Sequence, residues 1–243
     1  MMQDVVGPFI GVLILWALCF LLTFVVVRSI RHEKPQQRTE KEKSTQSMAS
    51  FLDQVQARQF SGKVGTPPAW GIVPSSDRDM WGTTRRHEWD DGIQFDYRGH
   101  EVQAVDCTVR VSSTSNSRAV YRSEQLFQVR TPPWPVVQLN ARQLTRYRGA
   151  GDQFPEITLG NQFDQAFRIT AEDERFARVL LQGPVLEFLM TDPRCAQSWM
   201  IFQAHCLWTA REGKLEPAAM LRFINPLVDV VDRLPRQAWD YRR

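Results

Sequence analysis

This chain of 243 residues has few cysteines and nearly equal numbers of acidic and basic residues, and it lacks the common catalytic motifs. Four cysteines exclude a disulfide-dense secreted scaffold. A net charge of +3 is too small for a dedicated nucleic-acid binder, so no nucleic-acid partner is expected. The chain has no phosphate-binding glycine motif, G-x-S-x-G, H-E-x-x-H or EF-hand loop. We therefore expect no catalytic residue, no cofactor and no metal, and we do not expect an enzyme.

One long hydrophobic run lies near the N-terminus. Residues 5–27 form a stretch of 23 residues without a charge. As a helix, this stretch would be roughly 35 Å long, enough to cross a hydrocarbon core of about 30 Å. A cleaved signal peptide would have a basic leading segment and a shorter run, whereas this chain begins Met-Met-Gln-Asp. The pattern predicts an uncleaved transmembrane anchor over 1–27 that contacts the lipid bilayer through residues 5–27.

The placement of charge predicts how the anchor is oriented. Asp4 is the charged side chain before the run, and several basic residues follow the run closely. Because cytoplasmic flanks carry the Lys/Arg excess, we expect a single-pass protein of the cell membrane with its N-terminus outside and its soluble domain in the cytoplasm. The odd number of cysteines beyond the anchor agrees with a reducing compartment. The basic residues are Arg28, Arg31, Lys34, Arg38, Lys41 and Lys43.

The composition changes again beyond the anchor. Residues 28–60 are polar and alternately charged, which predicts a juxtamembrane linker. Four apolar residues recur there at helical spacing from Met48 to Val55, so a short helix is expected inside the linker. Residues 61–243 hold nearly equal numbers of acidic and basic side chains and form the predicted soluble domain.

The first part of the soluble domain has the pattern of β-strands. Arg98 and Gly99 separate two stretches rich in alternating apolar residues, which predicts a hairpin. Three prolines between residues 132 and 135 are expected to break the chain before a short strand at 136–142.

The second part mixes helices and strands. Thr170 to Asp173 resembles a capping box at the start of a helix. Residues 198–215 predict a strand, a turn and a second strand, and residues 216–235 predict an amphipathic helix that Pro226 kinks or splits. The predicted fold class is α+β, with an N-terminal transmembrane helix and an antiparallel β-rich domain that carries two or three packed helices.

Four segments of the chain resemble a group of actinobacterial single-pass membrane proteins of unknown function. The resemblance implies an N-terminal transmembrane helix followed by a small α+β domain, and it implies no catalytic residues. It departs from the family pattern at Val105-Asp106-Cys107, where the group has Phe-Asp-aromatic. The four segments are the uncharged N-terminal helix with its charged exit, YRGHEVQAVDCTVRV (97–111), the segment 161–192 and the segment 199–240.

Tryptophans in turn-rich segments are the candidate partner surface. Interfaces favour tryptophan, so Trp70, Trp81, Trp89 and Trp134 are candidates for contact with another protein. The alternative is that these indoles pin loops to a small sheet. Cys195, His205 and Cys206 have no paired zinc-ligand spacing, which favours buried thiols and a histidine in a turn over a metal site.

Three functions remain open on these observations. The favoured one is a membrane-tethered cytoplasmic interaction module that binds a protein partner. The alternative is a small-ligand receptor or enzyme whose site is assembled from distant segments such as 85–98 and 161–175. A third is helix pairing in the membrane through Gly7 and Gly11, which have G-x-x-x-G spacing.

Overall fold

The computed structural model describes residues 46–61, 86–111, 120–144 and 150–241. The chain divides into two units, Met1–Ser50 and Phe51–Arg243, and the second unit carries the fold. The predicted anchor, including Gly7 and Gly11, falls outside these ranges, so the anchor stays a prediction. No helix within the described ranges has the length and apolar character to span a membrane.

The second unit is an α+β domain, as the sequence predicts. In the described residues its strands form one seven-stranded sheet, and every pairing in it is antiparallel. The strands are β1 Arg58–Ser61, β2 Arg86–Tyr97, β3 His100–Val111, β4 Val120–Ala141, β5 Glu156–Ile157, β6 Phe167–Ala171 and β7 Trp199–Glu212.

Several helices accompany the sheet. Among the described residues, four are longer than one turn, and three have only four residues. The helices are α1, described over 46–54, α2 Phe163–Ala166, α3 Glu174–Leu180, α4 Pro184–Thr191, α5 Pro193–Ala196, α6 Pro217–Asp232 and α7 Arg236–Trp239.

Strand β4 organises the sheet. The strand order is β1-β2-β3-β4-β6-β5, and β7 also pairs with β4. Because β7 pairs with β4 from Glu124 to Asn140, it follows one edge of β4 along most of its length. Strands β3 and β6 therefore share the other edge, β3 beside the first half of β4 and β6 beside the second half.

The predicted β2–β3 hairpin is confirmed. Tyr97 pairs with His100, and the two turn residues Arg98 and Gly99 have φ values of 53° and 82°. Two positive φ values are the signature of a tight hairpin turn whose twist matches that of the strands. This turn places the Arg98 side chain at the tip of the hairpin.

Both faces of the sheet are buried. Phe127 contacts Phe223 of α6 with ring centroids 5.1 Å apart, so this face of β4 packs on the helix. Successive strand residues point to opposite faces, so Leu126 belongs to the other face. There it joins a second buried cluster that includes Trp199, Trp208 and Cys206. Strands buried on both faces lose a strict apolar–polar alternation.

Two predicted interruptions of strands were wrong. β4 is one strand of 22 residues that runs through Pro132, Pro133 and Pro135, and β7 is one strand of 14 residues instead of two strands around a turn. Helix α3 begins at Glu174, directly after the predicted capping segment, but its cap is Asp173 and not Thr170, because strand β6 extends through Ala171. Helix α6 is continuous through Pro226 and is not split.

Candidate functional site

The four tryptophans predicted as a partner surface have different positions. Trp70 and Trp81 are not among the described residues. Trp89 pairs with Cys107 in the β2–β3 ladder, at a position whose side chain is not described. Trp134 lies in β4 and is only 4% exposed.

Trp134 packs in an aromatic cluster with residues from three other elements. Its ring centroid lies 5.7 Å from Phe176 of α3, 6.1 Å from Phe202 of β7 and 5.6 Å from Trp239 of α7. Phe176 and Phe202 are fully buried. The indole Nε1 of Trp134 is buried and has no hydrogen-bond partner in the part of the chain that the structure describes. Trp134 is therefore a core residue and does not itself form a partner surface.

Trp239 covers the outer side of this cluster. It is 39% exposed, and it is the large hydrophobic side chain that the described residues leave exposed. Pro235 stands before α7 with extended backbone, so the chain turns after α6 and lays α7 against α3. Trp239 was not among the tryptophans predicted to contact a partner, although its position in a polar segment after an amphipathic helix is a signal in the sequence.

The C-terminal segment is held in place by Tyr241. Its hydroxyl donates to Asp173 Oδ2 at 2.6 Å, and its ring lies 4.9 Å from Phe176. Asp173 Oδ1 accepts from the backbone N–H groups of Arg175 and Phe176, which caps α3. The hydrogen bond from Tyr241 is the largest influence that holds the pKa of Asp173 below its ordinary value. The contacts of Tyr241 thus hold the chain just after Trp239 against helix α3.

An ion-pair network joins the β2–β3 hairpin to α6. Arg98 donates to Asp229 at 2.8 Å and to Asp232 at 2.7 Å, and His100 Nε2 lies 2.7 Å from Asp232 Oδ1. Beside them, Tyr97 donates through its hydroxyl to Asn225 at 2.8 Å. The hairpin tip is therefore bonded to the last two turns of α6.

Asp229 lies at the centre of this network. Its Oδ2 accepts from Arg194 of α5 at 2.8 Å, and its Oδ1 accepts from Arg98. Partial burial alone would raise the pKa of Asp229, but the hydrogen bonds from Arg98 and Arg194 outweigh it and the pKa lies below its ordinary value. Arg194 also binds Asp192, so two carboxylates neutralise its guanidinium.

A cleft of about 160 Å³ opens beside this network, between α5, the end of β7 and α6. Arg194, Arg211 and Arg222 line it, together with Ser198 and Phe223. Among the described residues that line the cleft there is no carboxylate. Because Arg194 is paired with carboxylates, the positive charge of the cleft comes mainly from the other two arginines.

Arg211 is the half-buried arginine of the cleft. Its Nη2 donates to the carbonyl oxygen of Gln197 at 2.6 Å and to Ser198 Oγ at 3.0 Å. Its guanidinium carbon lies 5.2 Å from the centroid of the Phe223 ring. Burial, and then the nearby charge of Arg222, lower the pKa of Arg211. In the described structure, Arg211 forms no ion pair, and its buried Nε has no acceptor.

The cysteines are structural. Cys107, Cys195 and Cys206 are buried and form no disulfide bond within the described ranges, and burial raises the pKa of Cys195 to about 12 and that of Cys206 well above its ordinary value. His205 is exposed on β7 and is not part of a turn. In the described ranges, no group of three or more His, Cys, Asp or Glu residues is placed to hold a metal ion.

The segments 85–98 and 161–175 do not line the cleft. The first contains β2 and the second contains β6, and β3 and β4 lie between these strands in the sheet. The cleft is assembled instead from the segments around 193–200, 211 and 222–227.

Comparison with known proteins finds little similarity. No family model matches the chain, and no curated protein matches it. The chain is similar to one solved structure, that of the mycobacterial trehalose monomycolate transport factor A, TtfA, at 13% identity and a TM-score of 0.45. The alignment covers 78% of this chain and 95% of that chain.

Proposed function

We propose that this protein is a membrane-tethered interaction module whose soluble domain binds a protein partner. The observation that carries the proposal is the exposure of Trp239 above the buried cluster of Trp134, Phe176 and Phe202. Tryptophan is enriched among the residues that dominate binding energy at protein interfaces. A large indole that is already fixed in place loses little conformational freedom when a partner covers it.

The surroundings of Trp239 favour a protein partner over an apolar ligand. Trp239 lies in α7, and Arg236 and Asp240 are also exposed. Interfaces combine an aromatic centre with a polar, solvent-accessible rim. The tryptophan surface predicted from the sequence is thus retained in the proposal with Trp239 as its centre, and Trp70, Trp81 and Trp89 remain candidates for its extension.

The support for the membrane tether comes from the sequence. The uncharged run at 5–27 and the basic residues after it support a single-pass anchor with the soluble domain in the cytoplasm. We propose membership of the actinobacterial group of membrane proteins of unknown function on the four segments that resemble it. A partner in this arrangement would be found at the cytoplasmic face of the membrane.

The test is crosslinking in cells followed by affinity capture of the full-length protein. Trp239→Ala is expected to lose a stoichiometric partner that the unaltered protein captures, and Lys214→Ala, at an exposed position that is not part of the proposed surface, is the control that keeps it. Thermal unfolding of the three proteins should show that Trp239→Ala is folded, because its side chain is partly exposed. An identical set of captured proteins from Trp239→Ala would refute the proposed surface.

The tether has a separate test. A variant that lacks residues 1–27 is expected to appear in the soluble fraction, whereas the full-length protein should resist extraction from membranes by alkaline carbonate. Extraction of the full-length protein by carbonate would exclude the anchor without deciding the partner surface.

A further inference from the structure

We infer that the cleft between α5, the end of β7 and α6 binds the phosphate group of a small anionic ligand through Arg211 and Arg222. This inference goes beyond the partner surface and does not depend on it, since Trp239 does not line the cleft. Three features of the described residues carry it: the fixed orientation of Arg211, the uncompensated charge of the arginine pair, and the size of the cleft.

The orientation of Arg211 is fixed before any ligand binds. The carbonyl oxygen of Gln197 and Ser198 Oγ accept from Nη2, and the ring of Phe223 lies beside the guanidinium. The contact of Phe223 with Phe127 in turn fixes that ring. A guanidinium has five N–H donors; the two on Nη2 are used by these contacts and Nε is buried, so the donors on Nη1 are the ones available to a ligand. Donors that are already oriented bind an oxyanion without further ordering.

The charge of the cleft is uncompensated. Arg222 is close enough to influence the pKa of Arg211, and neither arginine forms an ion pair with a carboxylate in the described structure. Two neighbouring cations disfavour each other, and an anion between them relieves that repulsion. Arginine is the residue that proteins use most for buried ion pairs and for the recognition of phosphate.

The size and the polar groups of the cleft suit phosphate. A volume of about 160 Å³ holds roughly five water molecules, which is room for one phosphate group and a few neighbouring atoms. A phosphate has more acceptor oxygens than a carboxylate, and it can accept from two guanidinium groups and the Ser198 hydroxyl together. The phosphate of a soluble ester and that of a lipid headgroup have this same chemistry.

The experiment is calorimetric titration of inorganic phosphate into the full-length protein in bilayer discs of phosphatidylcholine. Saturable binding is expected, and Arg222→Ala should weaken it about tenfold, because one charge-assisted contact is lost. Arg222 is exposed, so this variant is expected to fold. Arg211→Gln should abolish binding, and Lys214→Ala is the matched control, an exposed cation outside the cleft.

Discs that contain phosphatidylglycerol distinguish the two sources of phosphate. If a lipid headgroup occupies the cleft, inorganic phosphate should bind more weakly in these discs, and Arg222→Ala should remove that difference. Equal affinity in both discs assigns the cleft to a soluble phosphate compound. No saturable binding in phosphatidylcholine discs, or binding that Arg222→Ala leaves unchanged, overturns the inference.

Discussion

Trp134 of β4 is paired in register with Ala204 of β7, and the ladder between the two strands shifts on both sides of that pair. Ala204 has a φ of 48°, in the left-handed region that alanine seldom adopts. The prolines of β4 cannot donate to the ladder, and the extra residues of the bulges lie in β4 itself, since its stretch from Arg130 to Val137 faces the shorter stretch from Cys206 to Phe202. The bulges of β4 thus face the positive φ of Ala204 in β7, and both strands continue beyond this point.

The backbone at Ala204 predicts how this pair responds to substitution. Ala204→Val is expected to lower the free energy of unfolding by about 1–2 kcal/mol, because a β-branched side chain is strained at positive φ. Ala204→Gly removes the strain but adds freedom to the unfolded chain, so its effect should stay within about 1 kcal/mol. Urea unfolding followed by tryptophan fluorescence measures both. A valine variant as stable as the glycine variant would contradict the strain.

Removal of the charge at the centre of the hairpin–helix network should destabilise the domain. Asp229→Asn keeps the size of the side chain but loses two charge-assisted hydrogen bonds, and the expected loss of stability is about 1–3 kcal/mol. Asp240→Asn is the control, since Asp240 is exposed and forms no ion pair within the described ranges. Equal unfolding midpoints in urea for the two variants would show that the network does not stabilise the fold.

The bond between Tyr241 and Asp173 predicts a dependence on pH. Tyr241→Phe should cost about 1 kcal/mol at pH 7, because the pKa of Asp173 is lowered in the folded state and its carboxylate is fully charged there. A lowered pKa stabilises the fold above the ordinary value of 3.8, and this contribution is lost as the pH falls through the lower folded pKa. The difference between the variant and the unaltered protein should therefore shrink in acid.

Tyr97→Phe is the control for this pH effect. Tyr97 donates to the neutral amide of Asn225, so its loss should cost a similar amount at every pH. Urea unfolding at pH 7 and at pH 3 compares the two variants. A Tyr241→Phe difference that persists unchanged in acid would mean that the carboxylate is not the group that matters.

The buried thiols should be unreactive in the folded protein. With a pKa of about 12, only about one Cys195 side chain in ten thousand is a thiolate at pH 8. In a Cys19→Ser variant, an aromatic disulfide reagent is expected to label Cys107, Cys195 and Cys206 only after the addition of guanidinium. Fast labelling without denaturant would contradict the burial of that cysteine.

The predictions from sequence succeeded where the signal is local. The α+β class and the hairpin at Arg98 and Gly99 follow from alternation and turn chemistry, and both are confirmed. The long helix after residue 216 follows from its apolar stripe. The continuity of β4 and β7 does not follow locally, because prolines are tolerated there only through the bulged pairing with the other strand.

The candidate sites were harder to predict, because they depend on contacts between distant parts of the chain. Trp134 has the sequence context of a loop, and its burial depends on α3 and α7, which begin about 40 and 100 residues later. Arg211 belongs to a strand whose pattern predicts only packing. Its charge matters because α6 returns to place Arg222 beside it, a contact that no local pattern signals.

The two-edged pairing of β4 has a consequence for biosynthesis. Strands β3 and β6 take one edge of β4, and the other edge is filled only by β7, which begins at Trp199, 58 residues after Ala141. At a synthesis rate of about 5–20 residues per second, that edge stays without its partner strand for roughly 3–12 s on each new chain. An open edge invites pairing with other chains. The nascent protein is therefore most prone to aggregate during this interval, before its last strand has left the ribosome.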